Sequence, residues 1–498
     1  MADVDPRPFP PGEYPVVVVG SGPGGLETSY FLRRLGVDHA VISKDDAPGG
    51  MFRRFPLFDR LISWTKPYAP VAPDTREYEW YDWNSLLVTP PDTPVHVADF
   101  MDGTSEFPSR REMEASLVAF AERHGVAVRY DCTWEATRRT GDGFVLATSD
   151  GEYRCRVAVF AVGVTEPWKP PDIPGVEHVP HYMEMKPAEA YAGKSLYILG
   201  KATSAFEVAD GLLPWASRMV LSSPHEVRLS VIERSLAGLR ARYTQPMEDH
   251  AIGGRSVLLL DAATERIDRT ATGYRVFLMG TTQPWNLELD VDEAVIATGV
   301  STPLGDLPEI GVATYSRGGR LPAQTPFWES ASVPGIYFTG SITQGAIGLR
   351  RATGAGAVHG FRYAARMIAE HIAERFGVRT QRPLLRPDEV VPLLLPEATS
   401  GPELWNQRSY LARAVAFDPD AGVLDEGVVP LAHFVDARGP DAVAVAVVAD
   451  DERRPRAVAY VRRGTAVEEH LLEPSLLLDF RSGEHEAQLR SALKGLLP

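Results

Sequence analysis

Cysteine is nearly absent from this chain. Its 498 residues include two, Cys132 and Cys155, too far apart for the C-x-x-C spacing of a redox dithiol. Both read as small buried hydrophobes. Long apolar runs are missing too, and no stretch reaches the ~18–20 residues that a membrane-spanning helix needs. Positive charge is in deficit: 51 Lys and Arg face 66 Asp and Glu, for a net charge of -15. Such a surface repels phosphate backbones and anionic lipid, so neither nucleic acid nor membrane is expected as a partner. The histidines are scattered without H-x-x-x-H spacing, and no metal site or catalytic triad is expected. Residues Met1 to Pro6 are acidic and lack the basic and apolar parts of a signal peptide. The C-terminal Gly495-Leu496-Leu497-Pro498 carries no retention or lipidation motif. The expectation is a cytoplasmic protein.

What is present is ordinary globular material, 44% hydrophobic and 23% charged, which at this length suggests two to four domains. The β-branched run Val16 to Val19 predicts a buried parallel strand. Leu26 to Leu35 has helical spacing and stops before Gly36, and His39 to Ser43 reads as a second strand. Residues 51–110 are rich in aromatics and prolines without a clear period, as in loops and short helices lining a site. Glu112 to His124 predicts a helix, Val126 to Tyr130 a strand, and Gly143–Leu146 with Tyr153–Val162 a small meander. The pattern restarts at Ser195 with strand, turn, a helix from Ser204 to Leu213, and a strand at Met219-Val220-Leu221. Glu293 to Gly299 brings the chain back. A third glycine-rich region at 335–360 opens a long helix from about Ala355 to Phe376. Beyond 380, Pro383, Pro387, Pro392 and Pro396 should break helices, while Ala442–Val448 and Ala457–Val461 read as strands. The expected class is α/β, with two Rossmann-like dinucleotide-binding domains. The first is built from 1–185 and a return segment 301–380, the second from 186–300, and a partly β extension spans 381–498.

The chemistry resides in the turns. Gly20-Ser21-Gly22-Pro23-Gly24-Gly25 fits G-x-G-x-x-G at Gly20, Gly22 and Gly25. The first glycine makes the tight turn and the second lets the backbone approach a pyrophosphate. The third brings helix and strand close, aiming the helix N-terminus at the phosphates. The second strand should end in Asp or Glu to hold ribose hydroxyls. Here Ser43 stands there, followed by Lys44, with Asp45 or Asp46 as substitutes. The second loop, Gly200-Lys201-Ala202-Thr203-Ser204-Ala205, is a degraded copy. It reads either as a nicotinamide site, weakened because Ala202 crowds the pyrophosphate, or as a structural repeat without a nucleotide. After the next strand come Ser222, Ser223, His225 and Arg228, with no acid at the strand end. That lean is toward NADPH, with Glu226 as counter-evidence.

Beyond these loops, Gly49-Gly50-Met51, Phe160-Ala161-Val162-Gly163 and Ala297-Thr298-Gly299 resemble the flavin-containing monooxygenase superfamily. Three more segments narrow the resemblance. They are Leu61-Ile62-Ser63-Trp64-Thr65-Lys66, Tyr81-Asp82-Trp83-Asn84-Ser85-Leu86-Leu87 and Ala357-Val358-His359-Gly360-Phe361-Arg362-Tyr363. They are similar to FAD-dependent oxidoreductase-domain proteins of the endoplasmic reticulum and their bacterial relatives, over about residues 15–375. The resemblance implies that the first loop holds FAD, with Gly50, Met51, Trp64, Ala161, Gly163, Gly340 and Ser341 beside it. The second loop and Gly299 would hold NADPH. It implies reduction of FAD by NADPH, addition of O2 at flavin C4a, and transfer of one oxygen from the hydroperoxide to a small molecule.

Several residues depart from the family pattern. Ser63 stands where an asparagine commonly precedes a lysine such as Lys66, and Asn84 is a second candidate for that role. Gly340-Ser341 replaces a common Gly-Asp. Arg350 and Arg351 are candidates for a substrate carboxylate. The Baeyer–Villiger pattern F-x-G-x-x-x-H-x-x-x-W is not met, which favours N-hydroxylation of an amine or amino acid. A non-oxygenating reductase or oxidase, and an interaction protein with FAD as a structural prop, stay open. A homo-oligomer is also left open.

Overall fold

The computed structural model describes residues 5–58, 60–233, 238–253, 256–316, 319–347, 356–379 and 381–497. It divides into two compact units. One comprises 1–53, 63–164 and 302–498, and the other 54–62 and 165–301.

The first unit is built on a parallel sheet. Strand β1 (Val16–Val19) lies beside β2 (His39–Ile42), and on its other side beside β3 (Val157–Phe160) and then β8 (Ile336–Phe338). All four of these strands are buried throughout, which is why they read as continuous β-branched and apolar runs. Helix α1 (Pro23–Arg34) connects β1 to β2, and α2 (Arg110–Arg123) follows under a Ser109–Glu112 capping box. A long helix, α4 (Val358–Arg375), packs against α1, with thirteen of its residues buried. Most sequence expectations hold to within three residues.

Two do not. Val126 to Tyr130 forms no strand but meets β2 through one bridge, with Arg129 N–H donating to Val41 O and accepting at its own carbonyl from Ser43. The positive φ of Asp131 turns the chain away immediately afterwards. The prolines after 380 do not prevent α5 (Val390–Ser400), which runs through Pro396. Pro392 sits in its first turn, where no amide partner is needed, and the buried Leu394, Leu395 and Ala398 offset the bond lost at Pro396. The meander also has an unforeseen strand, Trp134–Arg139, whose polar residues hid it.

After α6 (Pro402–Asn406) comes an antiparallel sheet. Its strands are β9 (Leu411–Asp418), β10 (Gly422–Pro430), β11 (Asp441–Ala449), β12 (Pro455–Arg463) and β13 (Ala466–Leu471). The alternation of Ala and Val in β11 buries both faces: Ala442, Ala444 and Ala446 join the core with Leu431 and Phe434.

The second unit repeats the first plan. Strand β4 (Ser195–Leu199) is flanked by β5 (Arg218–Ser223) with β6 (Val257–Arg269) beyond, and by β7 (Glu293–Ile296), all parallel. Helix α3 (Thr203–Leu212) follows β4. Antiparallel strands Tyr274–Gly280 and Asn286–Val291 extend the sheet past β6. Among the described residues no helix is long and apolar enough to cross a membrane.

Candidate functional site: two glycine cradles and an aromatic loop

The loop from β1 into α1 is shaped by backbone contacts. Gly20 has φ +114°, and a Cβ there would lie 2.6 Å from the Ala161 carbonyl oxygen. A Cβ on Gly25 would collide with the Gly20 carbonyl, and one on Gly24 with the backbone of Gly340. A Cβ on Gly50, itself at φ +56°, would sit 2.8 Å from the Gly22 Cα. Three chain segments thus meet at the start of α1 with no side chain between them. Pro23 occupies the first turn, Gly22 provides no side-chain cap, and the turn contains no acidic residue. The first-turn amides are therefore free for an anion, in contrast to α2, where Ser109 satisfies one. These residues fit a dinucleotide pyrophosphate, as the motif implies for FAD.

Around this cradle, Ser43 is buried and its hydroxyl pairs with that of Ser21 at 2.8 Å, while Asp45 N–H donates to it at 3.2 Å. Lys44 is exposed and Met51 half-buried. Gly163 has φ +70°, and Ser341 Oγ accepts from the next amide, Val164, at 3.2 Å. The buried hydroxyls of Thr28 and Thr339 meet at 2.8 Å, a tie from α1 to the end of β8 that no motif announced.

The second loop reproduces the first in detail. Gly200 has φ +136°, and its Cβ would lie 2.5 Å from the Ala297 carbonyl oxygen, just as Gly20 meets Ala161. Gly200 N–H donates to Ser222 O at 2.8 Å, as Gly20 N–H does to Ile42 O at 2.8 Å. Ala202 is the N-cap residue of α3, provides no side-chain bond, and the first turn, including Thr203 and Ser204, holds no acid. Ala205 stands where the first loop has Gly25, so a methyl separates helix and strand here. Ser223 Oγ donates to His225 O at 3.0 Å, and Arg228 is exposed. Gly299 O accepts from Trp168 N–H, and the buried His181 Nε2 lies 2.8 Å away. No motif announces Lys201. Its side chain is buried and paired with Asp261, which lies beside Ser223 in register. Its position matches that of Ser21 in the first loop.

The aromatic segment contains the remaining candidates. Ser63 and Asn84 are buried and bonded, Ser63 Oγ donating to Asn84 Oδ1 at 2.5 Å. Asn84 Nδ2 donates to Ser63 O at 3.3 Å and to Thr65 Oγ1 at 3.0 Å, so its amide is committed within the loop. Asp82 accepts from Thr65 Oγ1 at 2.8 Å and from the amides of Asn84 and Ser85. Burial pushes the Asp82 carboxyl up, but nearby His96, the Ser85 hydroxyl and the Arg362 charge outweigh it and hold the group below its ordinary range. Trp64, Trp83 and His359 form a stack, with centroids 4.8 and 4.2 Å apart. Lys66 is exposed, its ammonium 5.6 Å from the Trp64 ring and 5.5 Å from that of Tyr81. Arg350 and Arg351 lie outside the described residues. No cluster of metal-ligating side chains occurs among the described residues.

Comparison with known proteins agrees with this geometry. The family model described as pyridine nucleotide-disulphide oxidoreductase matches residues 17–340. The mouse (Mus musculus) FAD-dependent oxidoreductase domain-containing protein 2 is 33% identical over 234 residues, covering 45% of this chain and 34% of that protein. The probable indole-3-pyruvate monooxygenase YUCCA9 of Arabidopsis thaliana is 27% identical over 237 residues, covering 45% of this chain and 51% of that one. The alignments thus span a third to a half of these relatives. Bacillithiol disulfide reductase from Bacillus cereus shares the two-lobe fold, with a TM-score of 0.55 and 19% identity, over 73% of this chain and 100% of that one. With two glycine cradles of matching geometry and a family match across both, the chain belongs to the pyridine nucleotide-disulphide oxidoreductase family.

Proposed function

We propose that this chain is an NADPH- and FAD-dependent monooxygenase that adds one oxygen atom to a small molecule, with the nitrogen of an amine or amino acid as acceptor. The balance is NADPH, H⁺, O2 and substrate in, and NADP⁺, water and oxygenated substrate out. One observation carries the reading. Two uncapped cradles stand in a chain whose only cysteines, Cys132 and Cys155, are both free and buried. Burial also pushes both thiols up, away from the thiolate form. Electrons from a nicotinamide therefore find no dithiol in this chain, and dioxygen is the natural acceptor. The likeness to a plant monooxygenase over the sequence supports the same choice.

FAD, when bound, supplies the two-electron and dioxygen chemistry. The chain's own residues do the rest. The loops at Gly20 and Gly200 with their helix ends hold the two pyrophosphates. Ser21 and Ser43 offer hydroxyls at the end of β2. Although the exposed Glu226 weighs the other way, strand β5 ends in Ser222 and Ser223, and the adjacent Asp261 is paired with Lys201. That supports NADPH over NADH, with Arg228 as an exposed cation nearby. The buried Ser63–Asn84 pair and the stacked rings of Trp64, Trp83 and His359 would shield a bound flavin from water. A cytoplasmic location belongs to the same proposal, and a homo-oligomeric state is left open.

The test is to supply labelled dioxygen with NADPH and a broad panel of amines and amino acids. The expected result is substrate-stimulated NADPH oxidation and a product heavier by one labelled oxygen. Flavin bleaching without any oxygenated product would instead favour an NADPH oxidase or reductase. The full commitment of the Asn84 amide inside its loop is the observation that speaks for that second reading.

A further inference from the structure

The loop bearing Ser63 and Asn84 is held from outside by residues that lie beyond the family match. The first hold is Arg362, on α4. It is 1% exposed, and its guanidinium donates to the carbonyls of Asp82 at 2.9 Å, Ser85 at 3.0 Å and Glu79 at 3.2 Å. Its neighbour Tyr363 donates to Glu79 Oε2 at 2.7 Å. One helix thus fixes three backbone carbonyls around Asn84 and, through His359, the ring of Trp83.

The second hold comes from α5 and α6 of the C-terminal module. Glu397 receives Arg76 in a two-pronged bond at 2.6 and 2.8 Å, and Glu403 receives the same guanidinium. Both carboxylates are buried, 8% and 4% exposed. Arg366 is the nearest other cation to Glu403, at 4.0 Å. Trp80 Nε1 donates to Ser400 O at 2.6 Å, and the Trp80 ring lies 5.9 Å from that of Trp405. Gln407 Nε2 donates to Gly360 O at 2.7 Å, joining the module to the first turns of α4. Two buried carboxylates are a poor choice for mere stickiness, because each is tolerated only while its cation stays in place. They make Arg76 selective for a single position.

We infer that the C-terminal module is part of the reaction site: through Glu397 and Glu403 it grips Arg76, and with Arg362 it positions the Ser63–Ser85 loop so that water is kept from the reacting atoms. Arg76 and Arg362 are positioning residues, and the inference rests on the proposed placement of this loop at the flavin. A loosened loop should leave NADPH-driven reduction intact. It should divert O2 to hydrogen peroxide, consuming NADPH, H⁺ and O2 and releasing NADP⁺ and H2O2.

The experiment compares FAD-loaded wild type, Arg76→Gln and Arg76→Lys. Hydrogen exchange of peptides from 63–85 should accelerate about tenfold in Arg76→Gln, while peptides spanning β1 and β4 keep their protection. Flavin bleaching by NADPH should stay within about twofold, and with the amine and amino-acid panel present the fraction of electrons released as peroxide should rise about threefold. Arg76→Lys, which keeps the charge but loses the fork, should lie between. Unchanged exchange in 63–85, or faster exchange with no change in peroxide fraction, overturns the inference. If wild type turns all its electrons into peroxide even with the amine and amino-acid panel present, the monooxygenase reading falls. The positioning role is then decided by exchange together with the rate at which O2 reoxidises the reduced enzyme, which Arg76→Gln must change about threefold.

Discussion

At the scale of single residues, the methyl of Ala205, which stands where the first cradle has Gly25, marks a testable difference between the two cradles. Gly25→Ala places a Cβ against the Gly20 carbonyl, with no flexible side chain to yield. The expected outcome is loss of bound flavin and a destabilisation of about 3 kcal/mol or more, read by flavin absorbance and thermal unfolding. Ala205→Gly, at the matching place in the second loop, removes no native contact of that kind and should leave flavin content unchanged. Ser43→Asp is the complementary gain. The Ser21 hydroxyl and the Asp45 amide already point at this position, and a carboxylate would accept both with charge assistance. Retention of FAD on dilution should improve by about tenfold, one charged hydrogen bond's worth. A weaker grip on FAD would show that the pair of hydroxyls is itself the better arrangement.

At the scale of elements, helix α3 holds the short segment 54–62 through Glu207, whose carboxylate accepts the amides of Leu57 and Phe58. Burial pushes this carboxyl up to about 7, against an ordinary value of 4.5, and the two amide bonds only partly oppose it. The folded protein therefore keeps a proton there that the unfolded chain has released. Stability should fall as pH rises from about 4.5 toward about 7, since the unfolded state binds fewer protons across that window. Glu207→Gln should flatten that part of the curve of melting temperature against pH, and an unchanged curve would remove Glu207 as its cause. The same scale shows why some features were legible and others not. The β1–α1–β2 and β4–α3–β5 units were read correctly because continuous apolar strands and glycine turns are local signals. Lys201–Asp261, Arg76–Glu397 and Arg362 with its three carbonyls were invisible. Each joins residues brought together only by the fold, and no spacing rule marks them. The strand Trp134–Arg139 was missed for a related reason: its pairing with Phe144–Thr148 compensates for a polar sequence. Ser63 and Asn84 were each named, but that they bond to one another could not be read from their separation in the chain.

At the scale of the whole molecule, each of the two units offers its own ligand, so each should respond to a different one. A 2′-phosphorylated adenosine nucleotide at about 100 times its Kd should add ~2.7 kcal/mol to the unit spanning 165–301. It should leave proteolytic cleavage within 63–164 unchanged. AMP at the same concentration should do much less if NADPH is the donor, and equal protection by both would favour NADH. The inserted stretch begins and ends on one short ribbon, where Glu166–Pro167 pairs antiparallel with Val300–Ser301. Its entrance and exit are therefore neighbours, and the insertion behaves topologically like a cassette. A lobe from another protein could be spliced in with two cuts at that ribbon, keeping only Arg54–Ile62 as a foreign seam to be matched. Nature could have exchanged nicotinamide preference in this architecture by the same route, in one recombination rather than by residue-by-residue change.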